Sequence, residues 1–288
     1  MTISLLTIVR GRQSHLENQC RGLCESTRMP DEWVIVGMDQ DVDLASSVRP
    51  PVKIKTARVD GDGKRLPLAE ARNRAVEVSS GDQLVFLDVD CIPSAEMVDL
   101  FYEAMLDKQR LWMGRPRYLP QQAADGDWDL SDLEEAAVDH PLQPRLKGSE
   151  KLASKKYEMF WSLCFCISRS HFDRIGGFDE RYEGYGGEDT DFAFSARRLG
   201  IPFGFVDAVA YHQYHAVYKP PMNHLSDIVS NAKRFHQKWG VWPMKSWLRA
   251  FANNGLVQFD PIVNRLDVVR APTAEEVQQS RCYTPAGF

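Results

Sequence analysis

The chain reads as an α/β protein built on a mostly parallel sheet with helices on both faces. Three observations lead there. Short apolar, β-branched runs alternate with stretches of helical character through the first hundred residues. Gly- and Pro-marked turns separate them. Acidic residues recur just past the carboxyl ends of the expected strands, where open parallel sheets hold their ligands.

Residues 3–9 (ISLLTIV) predict a buried strand, followed by a helical stretch to about Arg28. A second strand runs from Glu32 to Met38 and ends at Asp39, and a third alternates from Val52 to Val59. The turn-rich Gly61 to Lys64 breaks it, and Pro67 precedes a helix over 68–78. Gly81-Asp82 then turns into Gln83 to Leu87, a fully apolar central strand that runs into Asp88-Val89-Asp90. Residues 120–156 show little periodicity and read as an excursion or flexible insertion. Met159 to Ser168 is strand-like again. A helix from Glu188 to Leu199 stops at Gly200, a strand follows over 202–212, and 225–239 is helical. Residues beyond about 270 read as a tail.

The composition excludes several classes. The formal net charge of the 288 residues is -5, without the basic footprint of a nucleic-acid binder. No apolar run approaches the roughly 18–20 residues that a membrane helix needs. Met1 to Val9 lacks the basic flank of a signal peptide, so the cytoplasm is the expected compartment. Membrane association is at most peripheral: Lys238 to Arg249, with Trp239, Trp242 and Trp247, reads as a packed helix rather than an interfacial patch. None of the six cysteines forms a CxxC pair, so buried thiols are expected rather than zinc ligands. Cys164 and Cys166 alternate along a strand and would share a face.

Three motifs have chemical content. Asp88 and Asp90 straddle a strand end and can both turn toward a ligand. Hard oxygen ligands suit Mg²⁺ or Mn²⁺, which share carboxylates with substrate phosphates and neutralise a departing diphosphate. Alone, such a pair is a solvated acidic turn; its place after a central strand is what singles it out. In Gly186-Gly187-Glu188-Asp189-Thr190-Asp191, two glycines let the backbone approach a ligand. The helix field then favours ionised Glu188 and Asp189, as suits a base or a hydroxyl-binding group; Asp191 reads as a helix-starting acid. His212 and His215, three residues apart at a strand exit, can converge on one ion.

Taken in this order, the motifs resemble the GT-A glycosyltransferases, family 2 in the broad sense. The opening strand, Asp39, Ala71-Arg72-Asn73 and Phe86 to Pro93 each resemble a segment of that family. Gly176-Gly177-Phe178-Asp179-Glu180 through Tyr185 to Asp191 resembles the "GGFDE…WGGEDDD" segment of β-1,4-galactosyltransferases and of chondroitin-polymerase-type enzymes. The resemblance covers roughly residues 2–215. It implies a Rossmann-like nucleotide-sugar-binding sheet with a C-terminal acceptor-side extension. The implied domain spans 1–270: a nucleotide half to about 118, an insertion over 119–156, a metal and acceptor half over 157–270, and a tail over 271–288.

By the same resemblance, Thr7, Val9, Arg10 and Asp39 hold the nucleoside of a UDP-sugar, Arg72 approaches the donor, and Asp88 holds ribose or sugar. Asp90, His212 and His215 ligate Mn²⁺ or Mg²⁺. Glu188 binds a sugar hydroxyl and Asp189 is the base that deprotonates a carbohydrate or glycoconjugate acceptor, giving an inverting transfer. Gly187, Tyr185 and Trp161 are candidates at the sugar. Two departures stand out: the family's Pro-x-Tyr-Asn-like loop is Val9-Arg10-Gly11-Arg12 here, and the tryptophan before GGED is Tyr185. Rival readings are a retaining transferase of N-acetylgalactosaminyltransferase type, a sugar nucleotidyltransferase and a non-catalytic sugar-nucleotide-binding module.

Overall fold

The computed structural model describes residues 1–44, 49–107 and 109–282. Its N-terminal half alternates strand and helix: β1 (Ile3–Val9), α1 (Gln13–Cys24), β2 (Glu32–Met38), β3 (Lys53–Val59), α2 (Leu68–Val78) and β4 (Gln83–Leu87). There follow β5 (Cys91–Pro93), α3 (Met97–Asp107), β6 (Leu111–Tyr118), α4 (Leu130–Ala136), β7 (Val138–Asp139), β8 (Lys151–Ser154) and β9 (Cys164–Ser168). The C-terminal half holds α5 (Arg169–Ile175), α6 (Glu188–Arg198), β10 (Phe203–His212), β11 (Val217–Tyr218), α7 (Leu225–Trp239) and α8 (Lys245–Asn253). A hairpin of β12 (Val257–Asp260) and β13 (Arg265–Val268), α9 (Ala274–Gln279) and β14 (Arg281–Cys282) complete it.

The main sheet runs β3-β2-β1-β4-β9-β6-β10-β5, with β7 on β6 and β8 on β10. β3, β2, β1 and β4 are mutually parallel, as their alternation with helices requires. β9 enters antiparallel between β4 and β6, and β10 returns parallel to β6. Along β1 and β4 successive side chains serve opposite cores. Leu6, Ile8, Leu84 and Phe86 join the α2, α5 and α6 side; Leu5, Val9, Val85 and Leu87 join the α1 and α3 side. The first core is aromatic: Phe86 stacks on Phe165 at 4.4 Å between ring centroids, and Phe178 on Phe192 at 4.3 Å. Cys164 and Cys166 lie together in the second core, their thiols pushed up by burial.

The first helix ends at Cys24, not near Arg28. The chain turns back there toward β2, and Thr27 N–H donates to the Ala95 carbonyl at 2.9 Å. The segment 119–156 is not featureless. Asp129 caps α4 through a reciprocal capping box with Asp132. Leu133 of α4 packs on Ile92, Leu119, Val209 and Tyr211. Ion pairs then fasten the segment to the sheet: Arg117 with Glu134 and Asp139, and Arg115 with Asp207, whose carboxylate also accepts from Gly148 N–H. Ion pairs and one small apolar cluster hold it together, so its sequence carries no long apolar period. Of residues 271–288, the structure places α9 and β14, and 283–288 lie outside the described residues. A separate apolar core joins α7, α8 and the hairpin through Ile228, Leu248, Phe251 and Leu266.

Candidate functional site

The site forms where β4 and β10 end and β5 begins. β10 pairs antiparallel with β5, setting His212 opposite Cys91. Gln213 N–H then donates to the Asp90 carbonyl at 2.6 Å, so the strand exit with the histidines is fastened to the Asp-x-Asp turn. One ligand atom each from Asp90, His212 and His215 lies within 4.8 Å of the others. His215 Nε2 is 3.4 Å from Asp90 Oδ2, and its Nδ1 faces the Ala216 carbonyl at 3.4 Å. That leaves Nε2 as the ligating nitrogen.

The electrostatics suit a cation. Burial lowers the His212 pKa to about 4, and the His215 charge adds to it; burial also lowers His215. Both rings are neutral near pH 7, as a metal ligand must be. Burial opposes ionisation of Asp90, but the hydrogen bond from His15, the charges that His215 and His212 take on at acid pH, and the charge of Arg12 hold its carboxyl below the usual range. Asp88 is pushed up by burial and by the charge of Asp90. Its backbone is fixed from both sides: Asp88 N–H donates to Leu163 O at 2.8 Å, and Gln19 Nε2 donates to Asp88 O at 2.8 Å.

In the second acidic motif, Gly186 and Gly187 adopt φ of 91° and 98°, which side-chain-bearing residues rarely adopt. They launch α6 with Glu188 and Asp189 in its first turn. Glu188 is 6% exposed, and its Oε1 lies 3.2 Å from Nη1 of Arg72, itself 5% exposed. Its other oxygen, Oε2, is buried without a hydrogen-bond partner. Asp189 is half-buried, and its Oδ1 accepts from Thr190 N–H at 2.6 Å. Burial and the Glu188 charge raise its carboxyl well above the usual range, while the Thr190 hydrogen bonds and the Arg72 charge oppose this. The Arg72 charge favours ionisation of both Asp88 and Asp189.

Other expected residues fall elsewhere. Arg10 and Asp39 pair at 3.2 Å, and Asp39 (φ 55°) accepts from Gly61 N–H at 2.7 Å. Thr7 is buried beneath this end: its hydroxyl donates to Gln19 Oε1 at 2.9 Å and accepts from Trp33 Nε1 at 3.0 Å. Val9 is a core side chain. The side chains of Leu5, Thr7 and Val9 share the face packed on α1, which leaves the backbone of Thr7 and Val9 as the part of these residues that a nucleoside could meet. Tyr185 and Trp161 lie in separate ring clusters. Trp161 meets His140 edge-on at 4.6 Å, and Tyr118 contacts both His140 and His212.

Sequence reasoning missed His15 and Arg12. Nδ1 of His15 lies 2.5 Å from Asp90 Oδ1, and Nε of Arg12 lies 3.4 Å from the same oxygen. Their signal was position, since the first turn of a helix after β1 must lie at the ligand-binding edge of the sheet. Asp191 was read too locally. It is 1% exposed and accepts from Tyr182, Trp239 and Lys238, tying α6 to α7. A cleft of about 900 Å³ flanks the cluster on the α1 side, lined in part by His15, Asn18, Arg21, Gln213 and Tyr214.

S. aureus TarS residues 1–349, solved with UDP-GlcNAc, superposes with a TM-score of 0.55 at 15% identity, over 81% of this chain and 66% of that one. GalNAc-T7, solved with UDP, GalNAc and Mn²⁺, gives 0.54 at 19% identity, over 74% of this chain and 43% of that one. The fold is that of the GT-A glycosyltransferases. Within this GT-A domain, residues 146–220 match the N-terminal domain of galactosyltransferase, a stretch containing Glu188, Asp189 and both histidines. Among curated proteins, the chain is 24% identical over 233 residues to validoxylamine A glucosyltransferase of Streptomyces hygroscopicus subsp. limoneus. That match takes in 69% of this chain and 49% of the glucosyltransferase. It is also 24% identical over 215 residues to hyaluronan synthase of Pasteurella multocida, covering 66% of this chain and 22% of the synthase. The GT-A domain thus spans about half the length of the first of these relatives and less of the second. No helix among the described residues is long and apolar enough to cross a membrane.

Proposed function

We propose that the chain is a metal-dependent glycosyltransferase that moves a sugar from a UDP-sugar to an acceptor hydroxyl with inversion. The observations that support this are the Asp90, His212 and His215 cluster beside Asp88 and the buried Arg72–Glu188 pair next to Asp189 at the start of α6, with the Arg72 charge favouring ionisation of both Asp88 and Asp189. The proteins it resembles include ones solved with UDP, UDP-GlcNAc or Mn²⁺, which supports the choice of donor and metal.

One carboxylate and two neutral imidazoles fit Mn²⁺ better than Mg²⁺, which prefers an all-oxygen shell. When bound at Asp90, His212 and His215, the cation supplies charge stabilisation to a departing diphosphate. The protein groups do the rest. Glu188, held by Arg72, presents its unpartnered Oε2 to a sugar hydroxyl. Asp189, with its raised pKa, takes the proton of the attacking acceptor hydroxyl as that oxygen bonds to the anomeric carbon. The nucleoside end is assigned to the Arg10–Asp39 pair, with backbone rather than side-chain contacts from Thr7 and Val9.

The experiment is a thermal-shift screen of UDP-sugars, each with and without Mn²⁺. A ligand that binds only the folded state stabilises it by about 2.7 kcal/mol at a hundredfold excess over its Kd. A Mn²⁺-dependent shift with a UDP-sugar supports the reading. No shift with any nucleotide-sugar refutes it.

A further inference from the structure

We propose that the C-terminal strand β14 positions the metal-ligating imidazole of His215, so that the affinity of the site for Mn²⁺ depends on the pairing of β14 with β11. This rests on the metal-dependent glycosyltransferase reading above. Asp90 and His212 are held by the main sheet: His212 ends β10 opposite Cys91, and Gln213 N–H donates to the Asp90 carbonyl at 2.6 Å. His215 lies beyond that sheet. Residues 213–216 belong to no helix or strand, so the course of the chain there is set by what grips it at either end. One grip is Gln213 on Asp90. The other is β11, whose strand partner among the described residues is β14. Val217 lies opposite Cys282 and Tyr218 opposite Arg281, and Lys219 N–H extends the ladder by donating to the Ser280 carbonyl at 2.7 Å.

The pairing reaches the imidazole through one peptide group. Nδ1 of His215 faces the Ala216 carbonyl at 3.4 Å, and Nε2 lies 3.4 Å from Asp90 Oδ2 on the metal side. The Ala216 carbonyl shares a planar peptide unit with the N–H of Val217. When Val217 is paired with Cys282, the plane of that unit is fixed. The direction of the oxygen that faces Nδ1 is fixed with it. Holding the ring by the nitrogen that does not bind the metal is how outer partners orient a histidine ligand and tune its affinity.

β14 is itself firmly held, as a positioning strand must be. Ser280 is buried where α9 ends: its N–H donates to the Glu276 carbonyl at 3.0 Å and its hydroxyl to the Val277 carbonyl at 2.7 Å. Thr273 starts α9 with a reciprocal capping box to Glu276. Arg270 pairs with Glu276 at 2.6 Å and also donates to the Asn254 carbonyl, just past α8, at 3.2 Å. Val277 packs against the core shared by α7, α8 and the β12–β13 hairpin. The C-terminal helical unit is thereby joined, through a two-residue strand, to one ligand of the metal site.

The test is a Mn²⁺ titration of the full chain, with and without UDP, followed by EPR of the free ion. Cys282→Pro has no N–H to offer the ladder and breaks the pairing, whereas Cys282→Val keeps it. The proline variant should bind Mn²⁺ about tenfold more weakly, and the valine variant as the wild type does. Phe251→Leu in the α8 core should lower the melting temperature with Mn²⁺ affinity unchanged, which separates positioning from general stability. A second readout uses the wild type alone. Coupling between two events is reciprocal, so Mn²⁺ should slow hydrogen exchange at 217–219 and 281–282 and leave the β12–β13 hairpin unchanged. This measurement decides the matter if Cys282→Pro gives no cooperative melt. Wild-type Mn²⁺ affinity in a folded proline variant, or no added protection of β11 and β14, overturns the positioning role. Absence of Mn²⁺ binding by the wild type refutes the metal reading itself.

Discussion

His15 Nδ1 lies 2.5 Å from Oδ1 of Asp90, on the oxygen opposite the one that approaches His215. The carboxylate is therefore held from the α1 side while its other oxygen faces the histidine pair. Partners of this kind orient a ligand and typically change metal affinity 10–100-fold when removed. His15→Ala is expected to raise the Mn²⁺ concentration giving half-maximal activity by about tenfold, with the UDP-sugar KM at saturating Mn²⁺ little changed. A metal titration of activity checks this, and an unchanged Mn²⁺ requirement would remove His15 from the site.

Removing the ligand itself should act differently. Asp90→Ala is expected to abolish the Mn²⁺-dependent part of the UDP-sugar thermal shift and leave any metal-independent part intact. The wild type should respond more strongly to Mn²⁺ than to Mg²⁺, given two imidazoles among the ligands. EDTA treatment followed by re-addition of each ion is the measurement. Equal rescue by both ions would mean that the histidines do not bind the metal.

How legible was this in the sequence? The apolar run that becomes β4 points straight at Asp88 and Asp90, and the three-residue spacing of His212 and His215 is local. Both motifs could therefore be found by reading along the chain. What brings them together could not. The β10–β5 pairing joins residues 91–93 to 210–212, and such register is a property of the whole sheet. What the sequence did not reveal at Thr7 is where its side chain goes: alternation turns its hydroxyl toward Gln19 and Trp33. Asp191 looked like an ordinary acid in the first turn of a helix until α7 packed Lys238 and Trp239 against it.

That packing makes Asp191 a stability residue rather than a catalytic one. Its Oδ2 accepts from Lys238 Nζ at 2.7 Å and its Oδ1 from Trp239 Nε1 at 2.7 Å. Asp191→Ala leaves the buried Tyr182 hydroxyl and the half-buried Trp239 Nε1 without this acceptor, while Lys238 keeps Asp179 at 3.4 Å. Leaving such donors unpaired costs about 1–3 kcal/mol. A urea denaturation midpoint lowered accordingly, with KM for donor near wild type in the folded fraction, is the expected result. An unchanged midpoint would show that α6 and α7 are held together by their apolar contacts alone.

Arg72 and Glu188 make a second such pair, but one that faces the site. Arg72→Ala strands a carboxylate that is 6% exposed and already has one unpartnered oxygen. Stability should fall by about 3–5 kcal/mol, and here the donor KM should rise as well. Arg72→Ala with Glu188→Gln removes the uncompensated charge and should recover much of the stability but none of the activity. Chemical denaturation paired with kinetics on the two variants separates these effects.

Asp189 carries the sharpest test, because its raised pKa has opposite consequences for stability and for catalysis. Burial and the Glu188 charge favour the protonated form in the folded state. The folded chain therefore binds this proton more tightly than the unfolded chain does. Its contribution to stability is present below the unfolded pKa and is lost as pH rises through the raised folded value. At neutral pH the ionised carboxylate is a liability, so Asp189→Asn is expected to raise Tm by a few degrees, as about 1 kcal/mol does in a chain of this size. A general base must be ionised to act, so the same substitution should lower kcat by about 10²–10⁴ with donor binding retained. In the wild type, kcat should fall on the acid side with an apparent pKa above that of an ordinary aspartate. Glu188→Gln removes the neighbouring charge and should move that acid limb to lower pH. Differential scanning fluorimetry and pH–rate profiles on the three proteins check both halves, and an Asp189→Asn variant that keeps most of its turnover would rule the residue out as the base.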